Sequence, residues 1–214
     1  MTLAHGTDQL ESDRLVLRRI TLDDLPFFAR IHALPEVTQY LYPGGRPRSA
    51  QETVEWVQAV LASYEQLGIG FLAVLHKQDG KLMGRCGLTD LAVESVAPEH
   101  GVRRGWFVRA HAPADIALTF ECELSYTLDP AVWGQGFATE AVRCVLDYSR
   151  DVLGLSYVIS AIQPENDRSR RVAQRCGACA AGQMKVVGLT WDRWMYPLAA
   201  GGPTRLQPIF RKSA

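Results

Sequence analysis

Residues 121–141 read ECELSYTLDPAVWGQGFATEA, and this stretch decides the fold. Residues 121–128 alternate between apolar and polar side chains, as expected of a strand with two unlike faces. The apolar face takes Cys122, Leu124, Tyr126 and Leu128, and the polar face takes Glu121, Glu123, Ser125 and Thr127. After Asp-Pro and two glycines, apolar residues return with helical spacing at 138, 141, 142, 145 and 146. The stretch therefore predicts a strand, a glycine turn and a helix.

The glycine turn is a candidate phosphate site. Gly134 and Gly136 lack Cβ atoms, so the backbone N–H groups there can approach a ligand closely. A helix that begins directly afterwards adds unpaired N–H donors and a positive dipole end. A dinucleotide fingerprint is excluded because Thr139 stands where Gly or Ala is needed. A Walker loop is excluded because the chain has no Gly-Lys-Ser/Thr. A tight turn that merely needs glycine is the alternative.

The flanking sequence predicts further strands and helices in alternation. A capping-box pattern begins a helix at Ser49, and Asn166 caps a second helix that Gly177 ends. Asp79-Gly80 indicates a type I′ hairpin turn between strands over 71–75 and 82–88. Other strands are expected over 15–20, 155–162, 183–187 and 191–198, and a helix is expected after Thr21 with Pro35 stopping it.

Length and composition restrict the class of protein. The 214 residues are 47% hydrophobic, which suits one core, and Lys plus Arg equals Asp plus Glu at 23 each. This balance argues against a broad nucleic-acid or membrane surface. The N-terminal ten residues lack the apolar core of a secretory signal, and five dispersed cysteines indicate reduced thiols. We expect a cytoplasmic protein without a metal site.

One domain is predicted over 1–200, followed by a basic, flexible tail over 201–214. Residues 92–113 show no periodicity and are expected to form a long loop insertion. This loop carries Arg103, Arg104 and Arg109 with no acidic residue between 101 and 114. It is either a solvated insertion or a surface that selects acidic substrates.

Residues 123–141 resemble the acetyl-CoA motif of the GCN5-related N-acetyltransferases (GNAT), and most closely the RimJ/RimL branch of ribosomal-protein acetyltransferases. RLVLR at 14–18, MGRCGL at 83–88, and NDRS at 166–169 with Cys-Gly at 176–177 extend this resemblance, in order, from about residue 10 to 198. The resemblance implies an α/β fold with a mixed, mostly antiparallel sheet flanked by helices. It also implies a cleft where two central strands splay apart, and acetyl-CoA as co-substrate.

The resemblance assigns roles to particular residues. The backbone of the turn would bind the pyrophosphate of acetyl-CoA, through Trp133, Gly134, Gln135, Gly136, Phe137, Ala138 and Thr139. The strand ending at Leu128 would pair with the pantetheine amides, and Asn166 would bond the cofactor arm or a water. Ser169 would lie near the sulfur. Many relatives carry a Tyr acid where this chain has Ala173, which leaves Ser169 as the candidate acid.

The implied reaction is direct attack of an amine on the thioester. A backbone N–H near Tyr126 would stabilise the oxyanion, and Glu123 is the candidate base. Glu121 on the same strand face would raise the pKa of Glu123 by like-charge repulsion. The alternative is that both carboxylates are solvated surface groups.

The sequence leaves several questions open. The acceptor is expected to be a protein or peptide N-terminal amine, with a small-molecule amine (an amino sugar, aminoglycoside or polyamine) as the alternative and a homodimer left open. A non-catalytic acyl-CoA sensor and a Cys176/Cys179 redox pair are further alternatives. The arginines of the Asn166 helix are either solvated or contact the 3′-phosphate of the cofactor. Aromatic residues that could line the acceptor pocket are Tyr40, Tyr42, Trp191 and Trp194.

Overall fold

The fold is given by a computed structural model, which describes residues 9–41, 44–97 and 101–198. The strands are β1 (Gln9–Glu11), β2 (Leu15–Arg19), β3 (Phe71–His76), β4 (Leu82–Glu94), β5 (Arg104–Trp106), β6 (Leu118–Leu128), β7 (Tyr157–Ile162), β8 (Cys179–Val186) and β9 (Leu189–Pro197). The helices are α1 (Leu25–His32), α2 (Pro35–Thr38), α3 (Ala50–Gln66), α4 (Phe137–Asp151) and α5 (Asp167–Arg175). Three short 3₁₀ turns lie at Leu22–Asp24, Arg109–His111 and Pro130–Val132.

All the described strands belong to one mixed, mostly antiparallel sheet. Strands β1, β2, β3, β4 and β6 are antiparallel neighbours in that order, and β7, β9 and β8 form a second antiparallel group. The two groups meet where β6 and β7 pair in parallel, and β5 links the far ends of β4 and β8. Helices flank this sheet, as the sequence predicted.

The central strands β6 and β7 are paired at one position, Glu123 opposite Ile159. Just beyond it, the Ser160 hydroxyl donates to the Leu124 carbonyl at 2.5 Å. The described strands β6 and β7 form no further backbone pair after this point, so β6 continues to Leu128 without β7 beside it. The predicted splayed cleft is confirmed, and Glu123 lies where it opens.

Two apolar cores hold this arrangement. The larger core packs α1, α3 and α4 against the sheet, and its members include Phe28, Val57 and Val145. The smaller core lies where β8 and β9 approach β4, and it includes Met184 and Trp191. Trp194 is buried in the larger core.

Most predicted elements are confirmed. Ser49 caps α3 through a capping box with Glu52, and Asn166 caps α5. The strand predicted at 155 begins two residues later, at Tyr157. Thr21 begins a 3₁₀ turn, so α1 starts only at Leu25. Pro35 does not simply stop a helix: α1 ends at His32, and Pro35 opens α2.

The turn between β3 and β4 differs from the prediction. The strands end at His76 and resume at Leu82, which is too long for the two-residue type I′ turn. The Asp79 carboxylate bonds both the His76 ring and the Lys81 N–H, and these bonds stabilise the wider loop. Gly80 still takes the left-handed conformation, with φ of 68°.

The prediction of an irregular loop over 92–113 is wrong at two places. Ala92 and Val93 extend β4, because the early residues of β6 and the strand β5 pair on its two sides. Arg104–Trp106 form β5. The sequence did not predict these strand residues because the charged Glu94, which is buried and pairs with Arg104, interrupts the run of apolar residues.

Within the described ranges no helix is long and apolar enough to span a membrane, and no group of three potential metal ligands is found. The five cysteines are free thiols. The predicted tail over 201–214 lies outside the described residues.

Candidate active site

The cleft opens into a cavity of about 1150 Å³. Its walls come from α3, β4, β6, the glycine turn and α5. The site residues predicted from the sequence that line it are Glu123, Tyr126, Leu128, Trp133, Gly134, Gly136, Phe137, Ala138, Thr139, Asn166 and Ser169. Gln135 does not line the cavity: its side chain donates to the Ala131 carbonyl at 3.3 Å.

The glycine turn has the geometry of an anion cradle. Gly134 and Gly136 take φ of 77° and 84°, in the region that favours glycine, and Gly136 is the N-cap of α4. A Cβ on Gly134 would meet nothing within 4 Å, so the turn needs glycine for its conformation and leaves open space above it. The first N–H groups of α4 have no intrahelical acceptor. The turn therefore fits the pyrophosphate of acetyl-CoA.

Arg14 anchors this turn to the start of the sheet. Its guanidinium pairs with Glu140 at 2.6 Å, donates to the Gln135 carbonyl at 3.3 Å and stacks on the Phe137 ring at 4.3 Å. Arg14, the first residue of RLVLR and directly before β2, thereby connects the glycine turn to the sheet.

Trp133 holds the cradle to the end of β6. Its indole N–H donates to the Leu128 carbonyl at 2.8 Å, and the Arg168 guanidinium lies 4.8 Å from its ring centroid. The Leu128 carbonyl, at the end of the strand predicted to pair with pantetheine, thus already accepts a hydrogen bond within the protein.

Two hydroxyls meet on the α5 side of the cleft. The Tyr126 hydroxyl donates to Ser169 Oγ at 3.1 Å, and the Asn166 side chain accepts the Ser169 N–H at 3.1 Å. Burial raises the pKa of Tyr126 to about 12, so this hydroxyl keeps its proton. Sequence reasoning used only the backbone of Tyr126. The chain has Ala173 where the resemblance leads one to expect a Tyr acid. This difference was the available signal to look for a hydroxyl group on another element.

Glu123 is 4% exposed, so the interpretation of Glu121 and Glu123 as solvated surface groups is wrong. Burial raises the pKa of Glu123 to about 7, against the lowering effects of the Arg85 charge and of a hydrogen bond from the Ala161 N–H. The carboxyl is therefore balanced between its two protonation states near neutral pH.

Like-charge repulsion by Glu121 is not the cause of this raised pKa. The Glu121 carboxylate forms a two-point ion pair with Arg193 of β9, at 2.9 and 2.8 Å, which neutralises its charge. The predicted pKa direction for Glu123 is right, but desolvation produces it.

Arg85 of β4 is a cavity residue that sequence reasoning missed. It is 4% exposed and stacks on Phe71 at 3.9 Å and on Trp56 at 5.6 Å. Its Nη1 makes a long hydrogen bond to Ser125 Oγ at 3.4 Å. The available signal was a lone charge within the buried run MGRCGL.

The other candidates predicted from the sequence divide between the cavity and the rest of the fold. Arg168, Arg171, Arg175, Tyr40 and Trp191 line the cavity. Tyr42 lies outside the described residues. Burial raises the pKa of Cys176, at the C-terminal end of α5, which disfavours the thiolate that redox chemistry needs.

The basic residues of 92–113 serve the fold. Arg104 pairs with the buried Glu94 at 2.6 Å, and Arg103 donates to the Glu94 carbonyl and, at 3.0 Å, to the Thr119 hydroxyl. Arg109 stacks on Phe120 at 4.7 Å. None of the three arginines lines the cavity described above.

Comparisons with known proteins identify the family. Residues 14–178 match the family described as the acetyltransferase (GNAT) domain. The uncharacterised N-acetyltransferase YoaA of Bacillus subtilis is 27% identical over 177 residues, which cover 82% of this chain and 85% of YoaA.

Two solved structures show a similar fold. RimL, a ribosomal L7/L12 alpha-N-protein acetyltransferase in complex with coenzyme A, has a TM-score of 0.61 and 16% identity, covering 88% of this chain and 96% of its own. Spermidine N-acetyltransferase from Vibrio cholerae, in complex with CoA and spermine, has a TM-score of 0.62 and 17% identity, covering 87% and 97%. The chain belongs to the GNAT family and is an acyltransferase of the N-acetyltransferase type.

Proposed function

We propose that this protein transfers the acetyl group of acetyl-CoA, by direct attack, to the N-terminal amine of a protein or peptide. The observation that carries the proposal is the position of Glu123. A buried carboxyl with a pKa of about 7 lies where the two central strands part, in the same cavity as the glycine cradle. A base with a pKa near the working pH is the most effective proton acceptor.

The residues for acetyl-CoA are those of the turn and its supports. The N–H groups from Gly134 to Thr139 would hold the pyrophosphate at the start of α4. Arg168, Arg171 and Arg175 of α5 line the same cavity and would meet the phosphates. The unpaired end of β6 would bind the pantetheine amides.

Acetyl-CoA supplies the thioester: the amine nitrogen bonds to the acetyl carbonyl carbon, the carbon–sulfur bond breaks, and the thiolate leaves with the electron pair. Glu123, as carboxylate, takes the proton that the ammonium or the attacking nitrogen loses. A backbone N–H of β6 near Tyr126 stabilises the negative charge that develops on the carbonyl oxygen. Ser169 gives a proton to the leaving thiolate, is held in place by the hydrogen bond from the Tyr126 hydroxyl, and takes a proton back from water.

The strand separates these two proton transfers. Glu123 and Tyr126 are three residues apart in β6, so their side chains point to opposite faces. The Tyr126 face packs against α5, whereas the Glu123 face looks toward α3 and β4. The amine therefore enters from the α3 side and the thiol leaves on the α5 side.

A small polycationic amine is the alternative acceptor, since one structural neighbour is a spermidine N-acetyltransferase. The buried Arg85 cation beside the Glu123 face opposes it. Transfer of label from radiolabelled acetyl-CoA into N-terminal peptides, with spermidine and aminoglycosides as the second pool, tests the proposal. We expect label in the peptides. Label only in the second pool would refute the acceptor, and label in neither pool while acetyl-CoA binds would refute transfer to these amines.

A further inference from the structure

Arg85 is a buried cation at the wall of the acceptor side of the cavity. Its guanidinium lies over Phe71, and its Nε atom has no hydrogen-bond partner among the described residues. No carboxylate of those residues lies within 4.0 Å of its guanidinium nitrogens. A buried charge in this state costs stability unless something offsets it.

The register of the sheet places this cation on the same face as the base. Arg85 lies opposite Thr127, and Thr89 lies opposite Glu123. Gly87, between them on β4, carries no side chain. The guanidinium reaches Ser125, which precedes Thr127 on that face and follows Glu123 by two residues. The hydrogen-bond partner of Arg85, Ser125, is therefore offset from Glu123 by two residues, or about 7 Å of backbone along β6.

A second guanidinium belongs to the same wall. Arg48, just before the cap of α3, lines the cavity. Burial lowers the pKa of Arg85, the Glu123 charge opposes this, and the Arg48 charge adds to it. Two cations, Arg48 and Arg85, and the carboxylate of the base thus line this side of the cavity, together with the exposed Glu36 of α2. The carboxylate suits an amine, and the cations suit an anionic group attached to it.

We propose, resting on the N-acetyltransferase function above, that Arg85, assisted by Arg48, binds a carboxylate of the acceptor, so that the enzyme selects peptides with an acidic side chain at or next to the N-terminal residue. The two-residue offset between Glu123 and the Ser125 partner of Arg85 favours this source over a free amino acid, whose amine and carboxylate share one carbon atom. It also places anion selection inside the cavity, and not in the basic segment 92–113, whose arginines bind Glu94, Thr119 and Phe120.

A simpler role for Arg85 would be to adjust the pKa of Glu123, which its charge lowers. The two roles differ in what they predict. An effect on the base changes the rates for all acceptors equally, whereas carboxylate binding changes only those for acidic acceptors. The ratio of kcat/KM for an acidic acceptor to that for its neutral amide isolates the second role.

The experiment uses the full chain, saturating acetyl-CoA and matched acceptors. The peptides are Ser-Glu-Ala-Ala-amide and Ser-Gln-Ala-Ala-amide, and L-serine with L-serinamide forms the free amino acid pair. The variants are Arg85→Met, which keeps an unbranched side chain but removes the charge, and Arg85→Lys, which keeps the charge. Arg109→Gln is the control, because it removes an exposed arginine outside the cavity. Thermal melts and acetyl-CoA titration identify any variant that fails to fold.

The wild type is expected to prefer the Glu peptide by about 10- to 100-fold, the range of one hydrogen-bonded charge pair. Arg85→Met should reduce this ratio to near one, Arg85→Lys should retain part of it, and Arg109→Gln should leave it unchanged. If both peptides are acetylated equally by the wild type, or if Arg85→Met keeps the preference, this inference is wrong while the proposed function stands. If Arg85→Met does not fold, the inference is tested by the ratios of kcat/KM for the two peptides in the wild type and in Arg85→Lys.

Two further outcomes bear on both the inference and the proposed function. Acetylation of serine but not of either peptide would overturn both the acidic-peptide assignment and the proposed peptide acceptor, and would assign the carboxylate to a free amino acid. Acetylation of spermidine alone would overturn both the inference and the proposed acceptor.

Discussion

Replacement of Glu123 by Gln tests the assignment of the base most directly. The amide has nearly the same shape as the carboxyl and can still accept the hydrogen bond from the Ala161 N–H, so the strand contact between β6 and β7 is retained. The amide cannot take a proton. We therefore expect the acetyl-CoA affinity to be unchanged, because Glu123 lies away from the glycine cradle on the opposite face from Tyr126.

The size of the effect follows from the role. A positioned general base contributes typically about 10²- to 10⁴-fold, so kcat should fall by this factor, or about 3–5 kcal/mol of activation free energy. The pH profile is the second part of the prediction. In the wild type, kcat/KM should rise with pH up to about 7, where Glu123 loses its proton, and then level off. Glu123→Gln should lack this inflection.

The stability of the wild type should fall as pH rises, whereas its activity should increase. Burial raises the folded-state pKa of Glu123 from its ordinary 4.5 to about 7, so the folded protein holds this proton more tightly than the unfolded chain. The wild type therefore loses stability as pH rises from about 4.5 through 7, by up to about 3 kcal/mol at 1.36 kcal/mol per pKa unit. Glu123→Gln removes this loss and should be the more stable protein at pH 8, with little difference at pH 4.

The groups that face Glu123 are Arg85 from β4 and the Ala161 N–H from β7, and the buried Cys122 thiol precedes it on the other face of β6. Steady-state kinetics over pH 5.5–9, calorimetric titration with acetyl-CoA and thermal melts at both pH values measure the three quantities. Wild-type turnover in Glu123→Gln, or an unchanged pH inflection, would remove Glu123 from the mechanism. A loss of acetyl-CoA binding would instead show that the residue is structural.

Four further variants test other parts of the site. Gly136→Ala should raise KM for acetyl-CoA and lower the melting temperature, because alanine costs about 1–2 kcal/mol in the left-handed conformation at φ 84°; kinetics and melts check this. Tyr126→Phe should lower kcat about tenfold without changing the acetyl-CoA Kd, and Ser169→Ala should lower kcat further. Wild-type kcat in both variants would exclude a role for these two hydroxyls in the reaction. Arg193→Met should destabilise the fold by about 3–5 kcal/mol in denaturant unfolding, because Glu121 is left buried and unpaired.

The sequence predicted the elements of this fold well where local chemistry determines them. The capping box at Ser49, the cap at Asn166 and the alternation in β6 depend on neighbours within a few residues. The positive φ angles at Gly134 and Gly136 follow from the same kind of local constraint. The splayed strands came from the family resemblance, since no local pattern encodes the point where β6 and β7 stop pairing.

The partners of charged residues could not be predicted, because they come from distant strands. Glu121 and Arg193 are 72 residues apart, and this ion pair changes the explanation for the pKa of Glu123. Tyr126 and Ser169 are 43 residues apart. The alternation of β6 was correct as a pattern, but the strand is covered on both faces, so its polar side is buried instead of solvated.

The polar face of β6 and its neighbour Arg85 carry buried charged groups that lower the stability of the fold and that the proposed mechanism uses. An apolar residue at 123 would remove a desolvation cost, and a carboxylate nearer to Arg85 would satisfy that cation. The chain instead keeps Arg85 and Glu123 on one face of the sheet without a direct ion pair between them. A closer pair would hold Glu123 ionised with a low pKa, and it would then be a weak base for an ammonium. In the proposed function, the separation keeps the pKa of the base near neutrality and leaves the cation able to bind a group on the acceptor, so that one acceptor with both an amine and an acid would satisfy both residues together.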